Sequence, residues 1–82
     1  MSEAEIYAAL GEIFRDVFLA DHIQLRPELS AKDVPGWDSF KQIDIILAVE
    51  EKYRIKLNTR ELDSLHNVGD LVRVIAAKAG GG

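Results

Sequence analysis

Apolar residues recur at steps of three and four in the first part of the chain, which is typical of an amphipathic helix. The members of this stripe are Ile6, Leu10, Ile13, Phe14 and Val17. Ser2 and Glu5 have the spacing of a capping box, in which each side chain pairs with a free backbone N–H at a helix start. We therefore predict a first helix that begins at Ser2, ends near residue 19 and packs its stripe against the core.

Residues 20–38 show no sustained period and contain Pro27, Pro35 and Gly36, so we predict a loop. Such a long connection in a compact domain is usually functional. Four apolar residues could hold this loop on the core, and we expect it to be ordered. They are Ile23, Leu25, Leu29 and Val34.

The central segment from Phe40 to Tyr53 carries apolar residues on more than one face. A strand is the alternative, because the isoleucines and valine of this segment favour sheets. Its length and the spacing of its charged residues favour a helix with some apolar side chains buried and others facing outward. An exposed apolar strip beside Ser39 would suit a partner protein.

Two further helices complete the predicted fold. Asn58 and Glu61 can cap a short third helix over about residues 59–64, and Asn67 can cap a fourth that runs to about residue 78. The predicted buried stripe of the fourth helix is Val68, Leu71, Val74 and Ile75. The fold class is all-α: a small bundle of three main helices plus one short helix, with a long ordered loop between the first two.

Composition restricts the function further. The 82 residues suffice for one small domain, without a second lobe to close over a substrate. No cysteine is present, which excludes disulfides and thiolate metal sites, and we predict no metal site. The net charge of −4 disfavours nucleic acid, although Lys52, Arg54, Lys56 and Arg60 make one stretch basic. No apolar run is long enough for a membrane span, so we expect a cytoplasmic protein. We also expect a monomer.

Two acid–hydroxyl pairs, Asp38–Ser39 in GWDSF and Asp63–Ser64 in LDSLH, are the candidate chemistry. Ser39 would lie at the start of the central helix, where free amides and the helix dipole stabilise an attached phosphate. Asp38 could help to bind a divalent metal carried in by a modifying enzyme. Ser39 and Gln42 also match a capping box, and spacing alone favours that structural interpretation.

Gly36, Asp38, Ser39 and Phe40, at the start of a helix that ends in AVEEKYRIKL and is followed by VGDLVRVI, resemble an acyl carrier protein over nearly the whole chain. In that family the serine of an Asp-Ser-Leu motif receives 4′-phosphopantetheine from coenzyme A, and the thiol of this arm carries acyl groups as thioesters. Ser39 is the matching position. The long loop after the first helix is also a family feature.

The resemblance implies a carrier rather than an enzyme. A phosphopantetheinyl transferase would modify it, and acyl-loading and acyl-processing enzymes of fatty acid, lipid or polyketide biosynthesis would be its partners. The implied docking face comprises Phe40, Ile43, Asp44, Leu47, Glu50 and Glu51. Phe40 replaces the usual leucine, Arg54 replaces a common glycine, and Lys41 is expected to weaken the acidic face. These departures favour a specialised carrier over the housekeeping one.

Ser64 is followed by leucine and so matches the family motif more literally than Ser39 does. It follows a short helix, however, and only two residues separate it from Asn67, the next predicted cap. Because Ser64 opens no long helix, we predict that it is a turn or cap residue.

Other interpretations remain at this point. His22 and His66 could form a hydrolytic triad with Ser39, but nothing in the sequence brings them together, and surface histidines are expected. The terminal AGGG resembles activated tails of ubiquitin-like proteins, but those proteins need a strand-rich fold, which the helical periodicity of this chain contradicts. We therefore assign residues 1–79 to the carrier domain and residues 80–82 to a flexible tail. A peptidyl carrier, or a helical interaction domain in which Ser39 is only a cap, is the alternative function.

Overall fold

The computed structural model describes residues 2–20 and 23–79 and contains four α-helices within them. These are α1 (Glu3–Phe18), α2 (Ser39–Tyr53), α3 (Thr59–Asp63) and α4 (Val68–Ala79). No strand is present in the described residues. The all-α fold class is confirmed, with three longer helices, one short helix and a long loop between the first two. The strand alternative for the central segment is wrong.

The predicted capping boxes form at two helix starts. Ser2 Oγ accepts a hydrogen bond from the Glu5 N–H at 3.2 Å, and Glu5 Oε1 accepts one from the Ser2 N–H at 3.0 Å. The backbone hydrogen bond from Ser2 lowers the pKa of the Glu5 carboxyl below its usual range. Asn58 and Glu61 make the same reciprocal pair at the start of α3. Each pair satisfies backbone donors that a helix start leaves free.

The core forms where α1 packs against α2 and α4. Ile6, Leu10, Ile45, Val49 and Ile75 are completely buried there. On α4 the predicted stripe is correct except at one position, since Val74 is only half-buried while Val72 is buried. Apolar residues stand on both sides of Arg73, at 71 and 72 and at 74 and 75, so spacing alone did not separate Val72 from Val74.

The long loop is tied to the start of α4. The Val68 N–H donates to Leu29 O at 2.8 Å and the Gly69 N–H donates to Pro27 O at 2.9 Å. A Cβ at position 69 would lie 3.1 Å from Pro27 O, so glycine permits this close approach. Leu29 and Val34 are buried, and Ile23 and Leu25 are partly buried. The predicted attachment of the loop to the core is confirmed.

The loop also contains a 3₁₀ turn at Ala31–Asp33 that we did not predict. The Asp33 carboxylate accepts from the Ser30 N–H at 3.0 Å. The spacing of Ser30 and Asp33 was the available signal. His22 and the glycines at 80–82 lie outside the described residues, as does the predicted tail. Within the described residues, the helices are too short or too polar to cross a membrane.

Candidate functional site

A tight turn lies directly before the start of α2. The Trp37 N–H donates to Val34 O at 3.1 Å, and Gly36 has a φ of 87°. Proline at the second position and glycine with positive φ at the third position are the residues that a type II turn favours. The turn at residues 34–37 therefore leaves Asp38 as the next residue, in extended conformation, immediately before the helix.

Asp38, and not Ser39, is the N-cap of α2. Its Oδ1 accepts a hydrogen bond from the Lys41 N–H at 3.0 Å, and its carbonyl accepts from the Gln42 N–H at 3.0 Å. The predicted capping box of Ser39 with Gln42 is therefore wrong. A carboxylate accepts the N–H and also complements the positive helix end, so Asp38 takes the capping position that Ser39 could have filled.

Ser39 is the first residue of α2, and it is exposed. Its Oγ makes no hydrogen bond within residues 2–20 and 23–79. Gln42, the other member of the wrongly predicted box, accepts instead from Trp37 Nε1 at 2.8 Å. The Ser39 hydroxyl is thus left accessible at the positive end of a 15-residue helix.

Trp37 attaches the start of α2 to α1. Its ring lies edge-on to Phe14 with centroids 5.3 Å apart, and 6.0 Å from the centroid of Phe18. The indole is half-buried, and its N–H is satisfied by Gln42. Trp37 is therefore a packing residue, and its contacts also fix the segment directly before Ser39.

Lys41 makes a second link between the same two helices. Its Nζ donates to Val17 O at 3.1 Å, and its side chain is half-buried. Val17 lies in the last turn of α1, where carbonyl groups lack partners within the helix and a cation is favourable. We expected Lys41 to weaken the acidic face of α2, but its ammonium group is instead directed to the end of α1.

The outward face of α2 combines apolar and acidic residues, as predicted. Phe40, Ile43 and Leu47 are exposed by 77%, 55% and 57%, and Asp44 and Glu51 are exposed as well. Buried Ile45, Ile46 and Val49 form the opposite face. Three large apolar side chains in water do not stabilise a fold, so a contiguous strip of this kind indicates a contact surface.

Glu50, the remaining member of the predicted docking face, has a structural contact. Its Oε2 accepts a hydrogen bond from the Leu57 N–H at 2.9 Å, and the side chain is half-buried. This bond fastens the chain that follows α2 and satisfies a backbone donor there. The Glu50 carboxylate is therefore less accessible to a partner than the exposed carboxylates of Asp44 and Glu51.

An open groove of about 580 Å³ lies beside Ser39, between α2 and the chain around α3. Its apolar part includes Ile43, Leu62, Leu65, Val68 and Leu71. Polar groups occupy other parts of its lining: Asp38, Ser39, Gln42, His66 and Asn67. Leu65 and His66 lie in the irregular connection between α3 and α4, so spacing along the sequence gave no indication that they line this groove together with Gln42 of α2.

Ser64 lies at the end of a helix, whereas Ser39 lies at the start of one. It is the C-cap of the 5-residue α3, and its Oγ donates to Glu61 O at 2.7 Å. The Glu61 carboxylate forms an ion pair with Lys78 at 3.1 Å, which holds α3 against α4. The backbone hydrogen bond from Asn58 lowers the pKa of Glu61, and Lys78 adds to this effect. The prediction that Ser64 is a turn or cap residue is confirmed.

The triad hypothesis gains no support from the residues that can be examined. His66 is exposed and lines the groove with Ser39, while His22 lies outside the described residues. In the described ranges, no group of three His, Asp or Glu side chains could hold a metal ion.

Known proteins resemble this chain along most of its length, although no family model matches it. The meromycolate extension acyl carrier protein of Mycolicibacterium aurum is 35% identical over 74 residues, which are 90% of this chain and 76% of that protein. The acyl carrier protein of Acidothermus cellulolyticus is 33% identical over 76 residues, which are 93% and 90% of the two chains. The solution structure of a holo acyl carrier protein from Geobacter metallireducens superimposes with a TM-score of 0.86 at 41% identity, covering 92% of this chain and 86% of that one.

Proposed function

Because the chain belongs to the acyl carrier protein family, we propose that Ser39 is the residue that receives 4′-phosphopantetheine and that acyl groups are carried on this arm. The observation that carries the proposal is the position of Ser39. Its hydroxyl is exposed at the first residue of a long helix, directly after an aspartate that caps that helix and beside an open groove.

The residues around Ser39 fit a covalently attached phosphate. The first backbone N–H groups of α2 and the positive end of its dipole favour an anion at this place. Ser39 Oγ is free of hydrogen bonds within the described residues, so attachment breaks no contact there. The arm would supply the thiol that this cysteine-free chain lacks.

Attachment is a phosphoryl transfer with coenzyme A as donor. Ser39 Oγ forms a bond to the phosphorus that carries the pantetheine group, and the bond from that phosphorus to the nucleotide part of coenzyme A breaks. The hydroxyl proton passes to a base on the transferase, and the nucleotide leaves with the electron pair of the broken bond. The product is a phosphodiester at Ser39.

Asp38 has two roles in this proposal. Its Oδ1 caps α2 through the Lys41 N–H. Its other carboxylate oxygen accepts no hydrogen bond in the described part of the chain, so it can contribute to a magnesium ion that the transferase brings with the phosphates. Magnesium prefers one or two carboxylates together with phosphate oxygens, which matches a single aspartate beside the acceptor hydroxyl.

The outward face of α2 is the proposed docking face for partner enzymes. Its members are Phe40, Ile43, Asp44, Leu47, Glu50 and Glu51. A carrier must leave each acyl-loading or acyl-processing enzyme quickly, and a small surface with a charged rim gives fast association without long residence. The groove beside Ser39 has an apolar lining that could accept part of the arm or of an acyl group during transit.

The test is intact mass spectrometry after incubation with coenzyme A, magnesium and a broad-specificity phosphopantetheinyl transferase. Wild type and Ser64→Ala should each gain the mass of one phosphopantetheine group, and Ser39→Ala should gain none. A subsequent reaction with an acyl donor should add acyl mass only to the modified protein. A gain at Ser64 would refute the assignment of Ser39. Absence of any gain with two unrelated transferases would instead favour a helical interaction domain.

A further inference from the structure

The segment at the end of α2 has a charge opposite to that of the chain as a whole. Residues 52–60 contain four bases and no acid, whereas acids outnumber bases by 14 to 10 in the complete sequence. Lys52, Arg54 and Lys56 are exposed, and none of the three forms an ion pair within the described residues. Neither the fold nor the proposed modification of Ser39 uses these charges.

Arg54 continues the outward stripe of α2. It follows Leu47 by seven positions and Glu51 by three, which places the three residues on one side of a helix. The Arg54 N–H donates to Glu50 O, so the backbone is still on the helical path at this residue. The outward face of α2 therefore ends in a cation, about 22 Å along the helix axis from the first residue of the helix.

Lys56 lies on the same side of the chain as Arg54. Both residues are exposed, whereas Ile55 between them is half-buried and Leu57 is buried. This alternation is typical of an extended chain, in which residues two positions apart share a side. Two neighbouring cations thus lie at the end of the apolar and acidic stripe.

The backbone of Arg54 also indicates a role outside the fold. Its φ of 55° and ψ of 48° lie in the left-handed region, which glycine and asparagine adopt more readily than arginine. The side chain is exposed and forms no ion pair in the part of the chain that the structure describes. A strained and unpaired cation at the end of a contact surface is accounted for if its charge serves a partner.

We infer that Arg54 and Lys56 select among partner enzymes, and this inference rests on the proposed docking of partners on α2. The partner that they favour has basic groups opposite Asp44 and Glu51 and an acidic patch opposite the two cations. An enzyme surface that is basic throughout meets like charges at this end and binds less tightly. A lipid surface fits less well, because residues 52–60 expose no large apolar side chain and the two cations continue the α2 stripe.

Two synthetic helical peptides provide the probe. Both have an apolar face for Ile43 and Leu47 and lysines opposite Asp44 and Glu51. The all-basic peptide continues with two more lysines, and the mixed peptide continues with two glutamates. Each peptide is titrated into isotope-labelled, unmodified protein, and the shifts of the α2 amides give its dissociation constant. The ratio of the two constants, all-basic over mixed, measures the preference for an acidic patch.

Arg54→Asn should lower this ratio roughly threefold, and Arg54→Asn/Lys56→Gln should lower it further, as expected for loss of one or two exposed ion pairs. Asparagine tolerates the left-handed backbone, so the fold should be kept with unchanged or greater stability. Lys52→Gln is the matched control, since it removes one positive charge from the same segment. Lys52 lies on another side of α2, where it lines a depression with Glu5 and Glu12 of α1, so the wild-type ratio should be retained.

An unchanged ratio in both Arg54 variants would overturn the inference, as would an equal fall in Lys52→Gln. Binding to vesicles of phosphatidylglycerol that Arg54→Asn abolishes, together with an unchanged peptide ratio, would assign the two cations to a lipid surface and also overturn it. The titration uses unmodified protein, so it does not depend on attachment of the arm. A failure of this inference is therefore distinguishable from a failure of Ser39 to accept phosphopantetheine.

Discussion

The chain contains the dipeptide Asp-Ser twice, and the fold gives the two copies opposite positions. Asp38 and Ser39 begin the 15-residue α2, whereas Asp63 and Ser64 end the 5-residue α3. All four side chains are exposed. Accessibility therefore does not separate the two serines, and the difference lies in the backbone around them.

At a helix start the backbone presents free N–H groups, and at a helix end it presents free carbonyl groups. Ser39 is consequently next to donors and a positive dipole, which favour a phosphate. Ser64 donates its own hydroxyl to Glu61 O, and a phosphate there would face carbonyl oxygens and the negative end of α3. A short sequence motif acquires chemical meaning only through the end of the helix at which it lies.

The largest expected effect is on the modification rate after Asp38→Asn. Asparagine caps a helix as well as aspartate does, so the fold should be retained. The carboxylate that we assign to the magnesium ion is lost, and modification of Ser39 should slow by roughly tenfold or more, as expected for loss of a charged contact. Initial rates measured by intact mass provide the test. The matched change in the Asp63–Ser64 pair is Asp63→Asn, and Ser39 of this variant should be modified at the wild-type rate.

A rate for Asp38→Asn equal to that of Asp63→Asn would contradict the magnesium role of Asp38 and leave it as a cap alone. Circular dichroism on both variants would establish that the helices are intact before the rates are compared.

The second effect is on stability. Asp38→Ala removes the acceptor for the Lys41 N–H and should cost about 1 kcal/mol of unfolding free energy. Asp63→Ala removes a carboxylate from the negative end of α3 and should leave stability unchanged or raise it by about 0.3 kcal/mol. Urea denaturation of the two variants measures both values. Equal losses would show that the two aspartates do not differ as cap and non-cap residues.

The third expected effect is a change in the pH dependence of stability when Glu61 is replaced. Glu61 fixes α3, the helix that ends in Asp63 and Ser64. The folded chain lowers the pKa of Glu61 from its ordinary 4.5, chiefly through the backbone hydrogen bond from Asn58. The unfolded chain therefore binds a proton more readily, so this contribution to stability is present above about pH 4.5 and is lost as the pH falls through the folded pKa. Glu61→Gln should lose less stability on acidification than wild type does.

Urea midpoints between pH 7 and pH 3 provide that comparison. Glu51→Gln is the control, because Glu51 is exposed and its carboxylate accepts no hydrogen bond within the described residues. It should follow the wild-type profile. Identical acid sensitivity of Glu61→Gln and wild type would contradict the role of Glu61 in fixing α3.

Much of this fold was predictable because local rules determined it. The helix periods, the caps at Ser2, Asn58 and Asn67, and the apolar loop anchors all follow from neighbouring residues. The position of Ser39 at the start of a long helix follows from them as well. The identity of the α2 cap was not predictable, since Asp38 and Ser39 are both good caps and adjacent. In the fold, Gln42 accepts a hydrogen bond from Trp37 Nε1, a contact that a capping box of Ser39 with Gln42 does not include.

Side-chain contacts between segments distant in sequence were also not predictable. Lys41 and Val17 are 24 residues apart, and the direction of a lysine side chain depends on the packing of α1 against α2. The contact of Glu50 with Leu57 depends in the same way on the path of the chain after α2. Lys41 and Glu50 are both charged residues of α2. The charge pattern of the sequence did not indicate that both side chains make contacts within the fold.

The smallest expected effect is on the stability of the two serine variants. Ser39→Ala removes a hydroxyl without a hydrogen bond in the described chain, and Ser64→Ala removes one exposed bond to Glu61 O. Each should change the unfolding free energy by about 0.5 kcal/mol or less, as exposed substitutions usually do. Urea denaturation of the unmodified proteins measures this. Because neither serine matters much to the fold, a complete difference in modification between them would come from chemistry at Ser39. A loss above about 1.5 kcal/mol in Ser39→Ala would instead mean that its failure to be modified reflects a damaged helix start.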